Sequence, residues 1–199
     1  MKLKHLLAAA ALAAAMALPA HAAIGEANIT PDTPMAELRA NPSVVGAGLY
    51  TYNQEQDSPR DIRRWADTTL REYVNDTTAQ DCAAGLNRMI EHYNAGIQIT
   101  HKLYTEEEIA AEPTRQKAEI YYFPGSRKNA RFVLIMGGNA LHTSAEMREG
   151  VSTAEWVNEQ GYTAFVLRYR IGSQAADNAP LEDLSRAVAY IRAHADAFG

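Results

Sequence analysis

The pattern of apolar and polar residues is most regular between positions 131 and 170. Five consecutive apolar residues, Phe132–Met136, are typical of a strand that is buried on both faces. Apolar residues then recur at helical spacing from Glu146 to Gln160, and Gly161 ends the predicted helix. A second apolar strand follows at Thr163–Leu167. Strand, helix and strand joined by short connections predict a βαβ unit whose two strands are parallel.

The residues before this unit predict helices and two strands. The helical segments are Pro34–Ala40, Arg60–Val74, Ala79–Asn94 and the acidic Glu106–Glu112, and the strands are Ile97–Leu103 and Ala118–Phe123. After the unit, Pro180 opens a long helix whose apolar stripe ends at Phe198, with Gly199 as its C-terminal glycine. Trp65 and Tyr93 lie at helical spacing among apolar residues, so we assign both to the core. The predicted fold class is α/β, with a mixed, mostly parallel sheet, an antiparallel lead-in and flanking helices.

The first 22 residues have the composition of a bacterial export signal. Lys2 and Lys4 form a basic start, and Leu6–Leu18 is apolar but too short for a permanent membrane span. Ala20–Ala22 then fits the small-residue cleavage pattern. We therefore expect an exported protein, periplasmic or secreted. Residues 1–22 would be its signal peptide, residues 23–95 an arm with helices that is a candidate cap, and residues 96–199 an α/β domain.

Charge and cysteine content exclude some partners and sites. The 199 residues carry a net charge of −5. Removal of Lys2 and Lys4 with the signal makes the chain more acidic, which argues against nucleic acid as a partner. Cys82 is the only cysteine, so neither an intramolecular disulfide nor a cysteine metal cluster can form. We expect Cys82 to be a small buried apolar residue on a helix, and we expect no cofactor.

The best candidate for chemistry is the run Gly137-Gly138-Asn139, directly after the first buried strand. Ligands of open α/β sheets lie beyond the carboxyl ends of the strands, which places Gly137–Thr143 and Arg168–Gly172 at the mouth of a site. Backbone N–H groups there can hold an anion or a developing oxyanion, and glycine lets a substrate approach the backbone closely. The alternative is that the two glycines only permit a tight turn between strand and helix.

Three other kinds of site fit the residues less well. A dinucleotide site needs G-x-G-x-x-G, which is absent after the first strand, and the second strand ends in Arg168 instead of an acidic residue. His101 and His142 lack the spacing of metal ligands, so we expect no metal. A nucleophilic serine needs G-x-S-x-G, which the sequence does not contain. Ser152 comes nearest, but it lies inside a predicted helix, and we assign it a structural role.

Five segments follow one another in an order that is known from one group of enzymes. They are the lead-in Tyr93–Glu108, the loop Gly137-Gly138-Asn139, the pair Glu149-Gly150, the strand Gly161–Arg170 and the helix start Pro180–Ala187. In this order they resemble the α/β-hydrolase superfamily, and in particular its exported acetylesterase-like and acetylxylan-esterase-like members. The resemblance covers Leu86–Gly199, over half of the chain.

The resemblance implies a serine hydrolase that acts on carboxylic esters through an acyl-enzyme. Its substrate would be a small ester or an acylated carbohydrate. The oxyanion hole would be formed by Gly138 and Asn139, and Gly137, Glu149 and Gly150 would support that loop. Many relatives carry a third glycine where this chain has Asn139, so the loop here is less open than theirs.

The same resemblance places the catalytic triad outside the matching residues. Relatives carry their nucleophile on the strand after the helix that begins here at Pro180, so we expect serine, acid and histidine beyond Gly199. The chain would then be the N-terminal portion of the enzyme, with a sheet truncated before the nucleophile elbow. Alone it would be inactive and only marginally folded. The alternative is a non-catalytic exported binding or interaction protein on the same fold.

We expect a bacterial host to remove the signal peptide after Ala22, because the residues before that bond fit the cleavage pattern. Mass spectrometry of the exported protein measures the position of the new N-terminus. An intact Met1, or a start at a distant residue, would contradict this prediction.

Overall fold

The computed structural model describes residues 24–49, 68–138, 141 and 145–199. The predicted signal peptide, Trp65, Asn139 and His142 lie outside the described residues. Most of the helix predicted over Arg60–Val74 lies outside them as well. The expectations that fall on these positions stay predictions.

The described chain begins with helices, and strands appear among the helices from Thr100 onward. The helices are α1 (Met35–Ala40), α2 (Pro42–Gly46), α3 (Leu70–Val74), α4 (Asp76–Asn94), α5 (Glu106–Ala111), α6 (Ser152–Glu159), α7 (Ala179–Ala193) and α8 (Ala195–Phe198). The strands are β1 (Thr100–Lys102), β2 (Glu119–Phe123), β3 (Phe132–Ile135) and β4 (Thr163–Arg168). A π-helix at Glu146–Val151 precedes α6, and 3₁₀ turns cover Pro113–Lys117 and Gly172–Asn178.

The strands of the described residues form one mixed sheet in the order β1-β2-β4-β3. β3 and β4 pair in parallel, as the βαβ pattern predicts. β2 pairs antiparallel with both β1 and β4. The predicted mixed sheet with an antiparallel lead-in is therefore confirmed. Among the described strands it is not mostly parallel, because two of the three pairings are antiparallel.

The two strands of the βαβ unit differ in burial because they differ in position. β4 has a neighbour on each side, and all its residues from Thr163 to Leu167 are buried, as predicted. β3 lies at the edge of the sheet that the described residues form, and Val133 is 39% exposed. The prediction that Phe132–Met136 is buried on both faces is wrong here, because only β4 pairs with β3 among the described strands.

Alternate side chains of the sheet face two separate groups of helices. On β4, Ala164 and Val166 belong to a core shared with α4, the π-helix and α6. Phe165 and Leu167 belong to a second core shared with α7 and α8. This alternation follows from the two-residue period of a strand. The sheet therefore lies between two helical layers, as the α/β class predicts.

Helix α4 joins the N-terminal residues to the βαβ unit. Cys82 is fully buried, and its thiol donates to the carbonyl of Met147 at 3.4 Å, so the predicted buried cysteine is confirmed. Burial raises the pKa of the Cys82 thiol. Arg88 forms a bidentate ion pair with Glu155 of α6, with N–O distances of 2.5 and 2.6 Å. The assignment of residues 23–95 as a cap stays a prediction.

Two predicted helices are interrupted where the local backbone is not helical. Thr69 has an extended backbone and caps α3 with its side chain, so the helix predicted over Arg60–Val74 is not continuous. The helix predicted to reach Phe198 breaks at His194, which has φ −114° and ψ 23°. Leu181, expected on the apolar stripe of that helix, is 60% exposed.

The apolar spacing also fails to predict α2 and the π-helix. The side chain of Asn41 accepts hydrogen bonds from two backbone N–H groups of α2, and Pro42 is its first residue. This combination of cap and proline is a sequence signal that could have found the helix. The π-helix takes up the start of the helix predicted from Glu146 to Gln160. Its wider turn leaves no separate signal in the spacing of apolar residues.

A buried ion pair joins the end of β4 to the first turns of α7. Arg170 is 1% exposed and Asp183 is fully buried. The guanidinium and the backbone N–H of Arg170 donate to the Asp183 carboxylate at 2.7–3.1 Å. The Tyr104 hydroxyl donates to the same carboxylate at 2.7 Å. Glu112 and Glu182 each accept a further guanidinium bond at 2.6 Å. Burial lowers the pKa of Arg170, but the bonds to these acids outweigh it and raise the pKa overall.

We expect Asp183→Ala to lower the free energy of unfolding by about 3–5 kcal/mol, because it leaves the buried Arg170 cation without its buried partner. Glu182→Ala is the matched control. Glu182 also binds Arg170 but is 45% exposed, and removing an exposed partner costs only about 0–1 kcal/mol. Urea unfolding followed by circular dichroism measures both changes. Equal losses in the two variants would contradict the prediction.

Candidate functional site

The loops that follow β3 and β4 meet at the carboxyl ends of these parallel strands. The Tyr169 hydroxyl donates to the carbonyl of Gly137 at 2.6 Å. The Gly172 N–H donates to the carbonyl of Leu141 at 2.7 Å. As far as it describes them, the structure thus brings together the two segments, 137–143 and 168–172, that the sequence places at the mouth of a site.

The two glycines after β3 have different surroundings. A Cβ atom on Gly137 would lie 2.9 Å from the carbonyl oxygen of Ala145, so the backbone here passes too close for any side chain. Among the described residues, no atom would lie within 4 Å of a Cβ atom on Gly138. Gly137 is therefore needed for packing, whereas Gly138 is exposed and does not pack against the described residues.

The N–H of Gly138 donates to Oε2 of Glu149 at 2.8 Å. Glu149 lies on the π-helix and is half-buried. This contact ties the glycine loop to the helix that follows it, which fits the supporting role assigned to Glu149. The proposed catalytic roles of Gly138 and Glu149 stay predictions, as does the role of Asn139, which lies outside the described residues.

The π-helix carries Glu149 and packs tightly against the sheet. The N–H groups of Glu149 and Gly150 both donate to the carbonyl of Ala145, at 2.9 and 3.2 Å. A Cβ atom on Gly150 would lie 2.5 Å from Cγ1 of Val166, so only glycine lets the π-helix lie this close to β4. Single π turns inside α-helices are frequent at functional sites.

The Ser152 side chain has a structural environment. Its hydroxyl donates to the carbonyl of Arg148 at 2.5 Å, one turn earlier, and the residue is 7% exposed. Hydroxyl groups in helices often bond in this way to the preceding turn. The contact agrees with the structural role that the sequence predicts for Ser152.

Tyr169 is the residue at this site that the sequence pattern does not single out. It is 2% exposed. Burial raises the pKa of its hydroxyl, and the carboxylates of Glu146 and Glu149 raise it further, so the hydroxyl remains a donor at neutral pH. A tyrosine directly after a buried strand needs a partner for its hydroxyl, and this is the signal that could have found it.

Arg168 and His101, which the sequence analysis weighed for other kinds of site, make ordinary structural contacts. Arg168 donates to Oε1 of Glu119 at 2.8 Å across the sheet. His101 bonds the carbonyl of Gln98 at 3.2 Å and packs edge-on against the ring of Phe198.

Within residues 24–49, 68–138, 141 and 145–199 no cluster of three or more His, Cys, Asp or Glu side chains could hold a metal ion. In the same residues no helix is long and apolar enough to cross a membrane.

One protein family matches the part of the chain that contains this site. Residues 118–199, from just before β2 to the last residue, match the BD-FAE family model. The match relates this part of the chain to the α/β-hydrolase superfamily and confirms the resemblance found in the sequence. No curated protein matches the chain.

Two solved structures are similar to parts of the chain. One is MGS-M1, an α/β hydrolase enzyme from a Medee basin deep-sea metagenome library. It shows 28% identity over 41% of this chain and 35% of that chain, with a TM-score of 0.35. The other is an acetyl ester-xyloside bifunctional hydrolase from Caldicellulosiruptor lactoaceticus. It shows 24% identity over 50% of this chain and 37% of that chain, with a TM-score of 0.42. The chain thus spans little more than a third of each of these proteins.

Proposed function

We propose that this chain is the N-terminal portion of an exported serine hydrolase that acts on carboxylic esters, and that it supplies the oxyanion-binding loop of that enzyme. The premise is the relationship of residues 118–199 to the α/β-hydrolase superfamily. The 199 residues contain no G-x-S-x-G, so the catalytic serine, acid and histidine lie outside them under this proposal. The signal proposed at residues 1–22 makes the periplasm or the outside of the cell the place of action.

The observation that carries the proposal is the fixed glycine peptide at the carboxyl end of β3. Oxyanion stabilisation needs N–H groups whose orientation is set before the reaction begins. Gly137 and Gly138 share a peptide unit that Tyr169 and Glu149 bind from two sides. No described residue fills the space beside Gly138, which leaves room there for the carbonyl group of a substrate.

The proposed reaction is acyl transfer in two steps. The serine oxygen bonds to the ester carbonyl carbon while the histidine takes the serine proton. The carbonyl oxygen becomes an oxyanion, to which N–H groups of the loop at Gly138 and Asn139 donate. The intermediate expels the alcohol, which receives the proton from the histidine and leaves an acyl-serine. Water then attacks the acyl-serine in the same way and releases the carboxylic acid.

The proposed substrate class is small esters or acylated carbohydrates, because the motifs that carry the resemblance are those of exported acetylesterase-like hydrolases. The second candidate is a non-catalytic exported binding protein on the same fold. One observation favours it, namely that Glu149 already accepts the N–H of Gly138.

The test compares the product of the complete gene with the 199-residue chain. We expect the complete product to hydrolyse p-nitrophenyl acetate and to be inhibited by a serine-directed phosphonate. The 199-residue chain alone should show no turnover, because acyl transfer without nucleophile and base falls by many orders of magnitude. Phosphonate-sensitive turnover by the short chain would contradict the placement of the triad. An inactive complete product would favour the binding protein.

In the active protein we expect Gly138→Val to lower kcat/KM by about 100-fold, the loss typical of a misplaced substrate, with little loss of stability. The added Cβ atom meets no atom of the described residues, but the side chain crowds the proposed position of the substrate. Thr153→Val, at an exposed position on α6, is the control for a surface valine. Steady-state kinetics and thermal unfolding measure the two effects. A variant that folds and keeps a near-normal rate would show that the loop is only a connector.

A further inference from the structure

His101 lies in a cluster of aromatic rings between the sheet and helices α7 and α8. Its ring centroid lies 5.1 Å from that of Phe198, and 6.1 and 6.3 Å from those of Tyr190 and Tyr122. Nε2 of His101 lies 3.2 Å from the carbonyl oxygen of Gln98. Because a carbonyl only accepts hydrogen bonds, Nε2 carries the proton of the neutral ring, and a second proton would go to Nδ1.

A proton on Nδ1 of His101 finds no good partner among the described residues. Its contact there is the hydroxyl of Tyr190 at 3.5 Å, which is long for a hydrogen bond. The ring of His194 stacks on the same tyrosine, with the two centroids 4.2 Å apart. Two protonated histidines would therefore both lie against one tyrosine ring, where their charges repel each other.

Helix α8 depends on this cluster for its position. It has four residues, too few to be stable without tertiary contacts. Its Phe198 is 8% exposed, and the ring centroid lies 4.8 Å from that of Tyr122 and 4.9 Å from that of Phe165. The Tyr122 hydroxyl donates to the carbonyl of Phe198 at 3.0 Å. The ring of His101 is thus part of the surface on which α8 lies.

We propose that His101 is a pH-sensitive latch for α8. Its neutral ring holds Phe198 against the sheet, and its protonation in mild acid releases α8. This inference goes beyond the proposed ester hydrolysis and does not depend on it.

Release of α8 would change the apolar surface next to the edge strand β3. A cavity of about 420 Å³ lies beside α8, and the rings of Phe132, Phe165 and Phe198 form part of its lining. Without α8 this cavity loses one of its walls, and the ring of Phe165 becomes accessible to solvent. The latch would therefore control how much apolar surface the protein presents on this side.

The groups that face His101 favour its neutral form. Burial lowers the pKa of His101, and the charge of His194 on α7 lowers it further, against the bond to the Gln98 carbonyl, which raises it. Tyr122 on β2 and Tyr190 on α7 face the ring as neutral groups, because burial raises the pKa of both hydroxyls. Helix α8 contributes an uncharged ring. Among the described residues no carboxylate offsets the charge of the imidazolium.

The direction of the pH dependence follows from the lowered pKa. With α8 released, His101 is solvated and its pKa returns towards the usual value of 6.5, so the released state binds the proton more readily. The contribution of neutral His101 to the closed state is complete above that value. It is lost as the pH falls from 6.5 through the lowered pKa of the closed state.

Hydrogen exchange of single amides, measured by NMR on the complete gene product, tests the latch. The Phe198 N–H donates to the carbonyl of His194 at 3.2 Å, so its protection factor reports the closed state of α8. From about pH 8 to about pH 5 we expect this protection factor to fall at least about threefold. The amides of β4 should keep their protection, because release of α8 leaves the strands paired.

Two variants separate His101 from other titrating groups. His101→Gln keeps a donor for the Gln98 carbonyl but cannot gain a proton, so the protection of Phe198 should no longer depend on pH. His92→Gln is the matched control. Burial and Arg88 lower the pKa of His92 as well, but this residue lies on α4, which packs against the other face of the sheet. His92→Gln should therefore keep the wild-type fall in Phe198 protection.

NMR titration of the His101 ring in the wild type makes the test independent of the variants. We expect its pKa to lie below 6.5, and the ring signals of Phe198 to change with the same midpoint. A pKa of His101 at or above 6.5 would overturn the inference, because the cluster would then stabilise the imidazolium. Equal Phe198 protection at both pH values would overturn it too, as would an undiminished fall in His101→Gln. A parallel loss of protection in β4 would show global unfolding instead of a latch.

Discussion

The buried pair of Arg170 and Asp183 is the interaction on which the arrangement of the site depends. Two charges removed from water stabilise a fold only when each polar atom finds a partner, and here the carboxylate accepts from the guanidinium, a backbone N–H and Tyr104. Arg170 directly follows Tyr169, so the pair that fixes the arginine also fixes the backbone from which the tyrosine side chain reaches the carbonyl of Gly137. The same pair holds the first turns of α7 against the end of β4. The glycine loop is therefore set by a contact deep in the core.

The sequence predicts those elements whose signal is local. Strand β4 is predicted because helices cover both faces of its apolar run, Ala164–Leu167, so successive positions in that run must be apolar. Helix α4 is predicted because Cys82, Leu86 and Ile90 recur at helical spacing and are all buried. The parallel pairing of β3 and β4 follows from the length of the connection between them. The superfamily relationship follows from the order of several such segments.

The features that the sequence does not predict depend on contacts between residues that are distant in the chain. Glu149 and Gly138 are 11 positions apart, and Tyr169 and Gly137 are 32 positions apart. Neither separation along the chain produces a periodic pattern in the sequence. The sequence resemblance nevertheless selects the glycines and Glu149 as members of one loop. The exposure of Val133 is a property of the sheet order and not of the strand itself. The breaks at helix ends depend on hydrogen bonds of individual polar side chains.

The π-helix at Glu146–Val151 also sets the direction in which its own side chains point relative to those of α6. Its hydrogen-bonded turn contains one residue more than a turn of an α-helix, and one residue corresponds to about 100° of rotation about a helix axis. Because of this extra residue, Glu149 faces the glycine loop while Ala154 and Val157 of α6 face the core. A chain shorter by one residue in this segment could keep α6 packed only by turning Glu149 away from the loop. The length of the segment is therefore part of the information that builds the site, in addition to the identity of its residues.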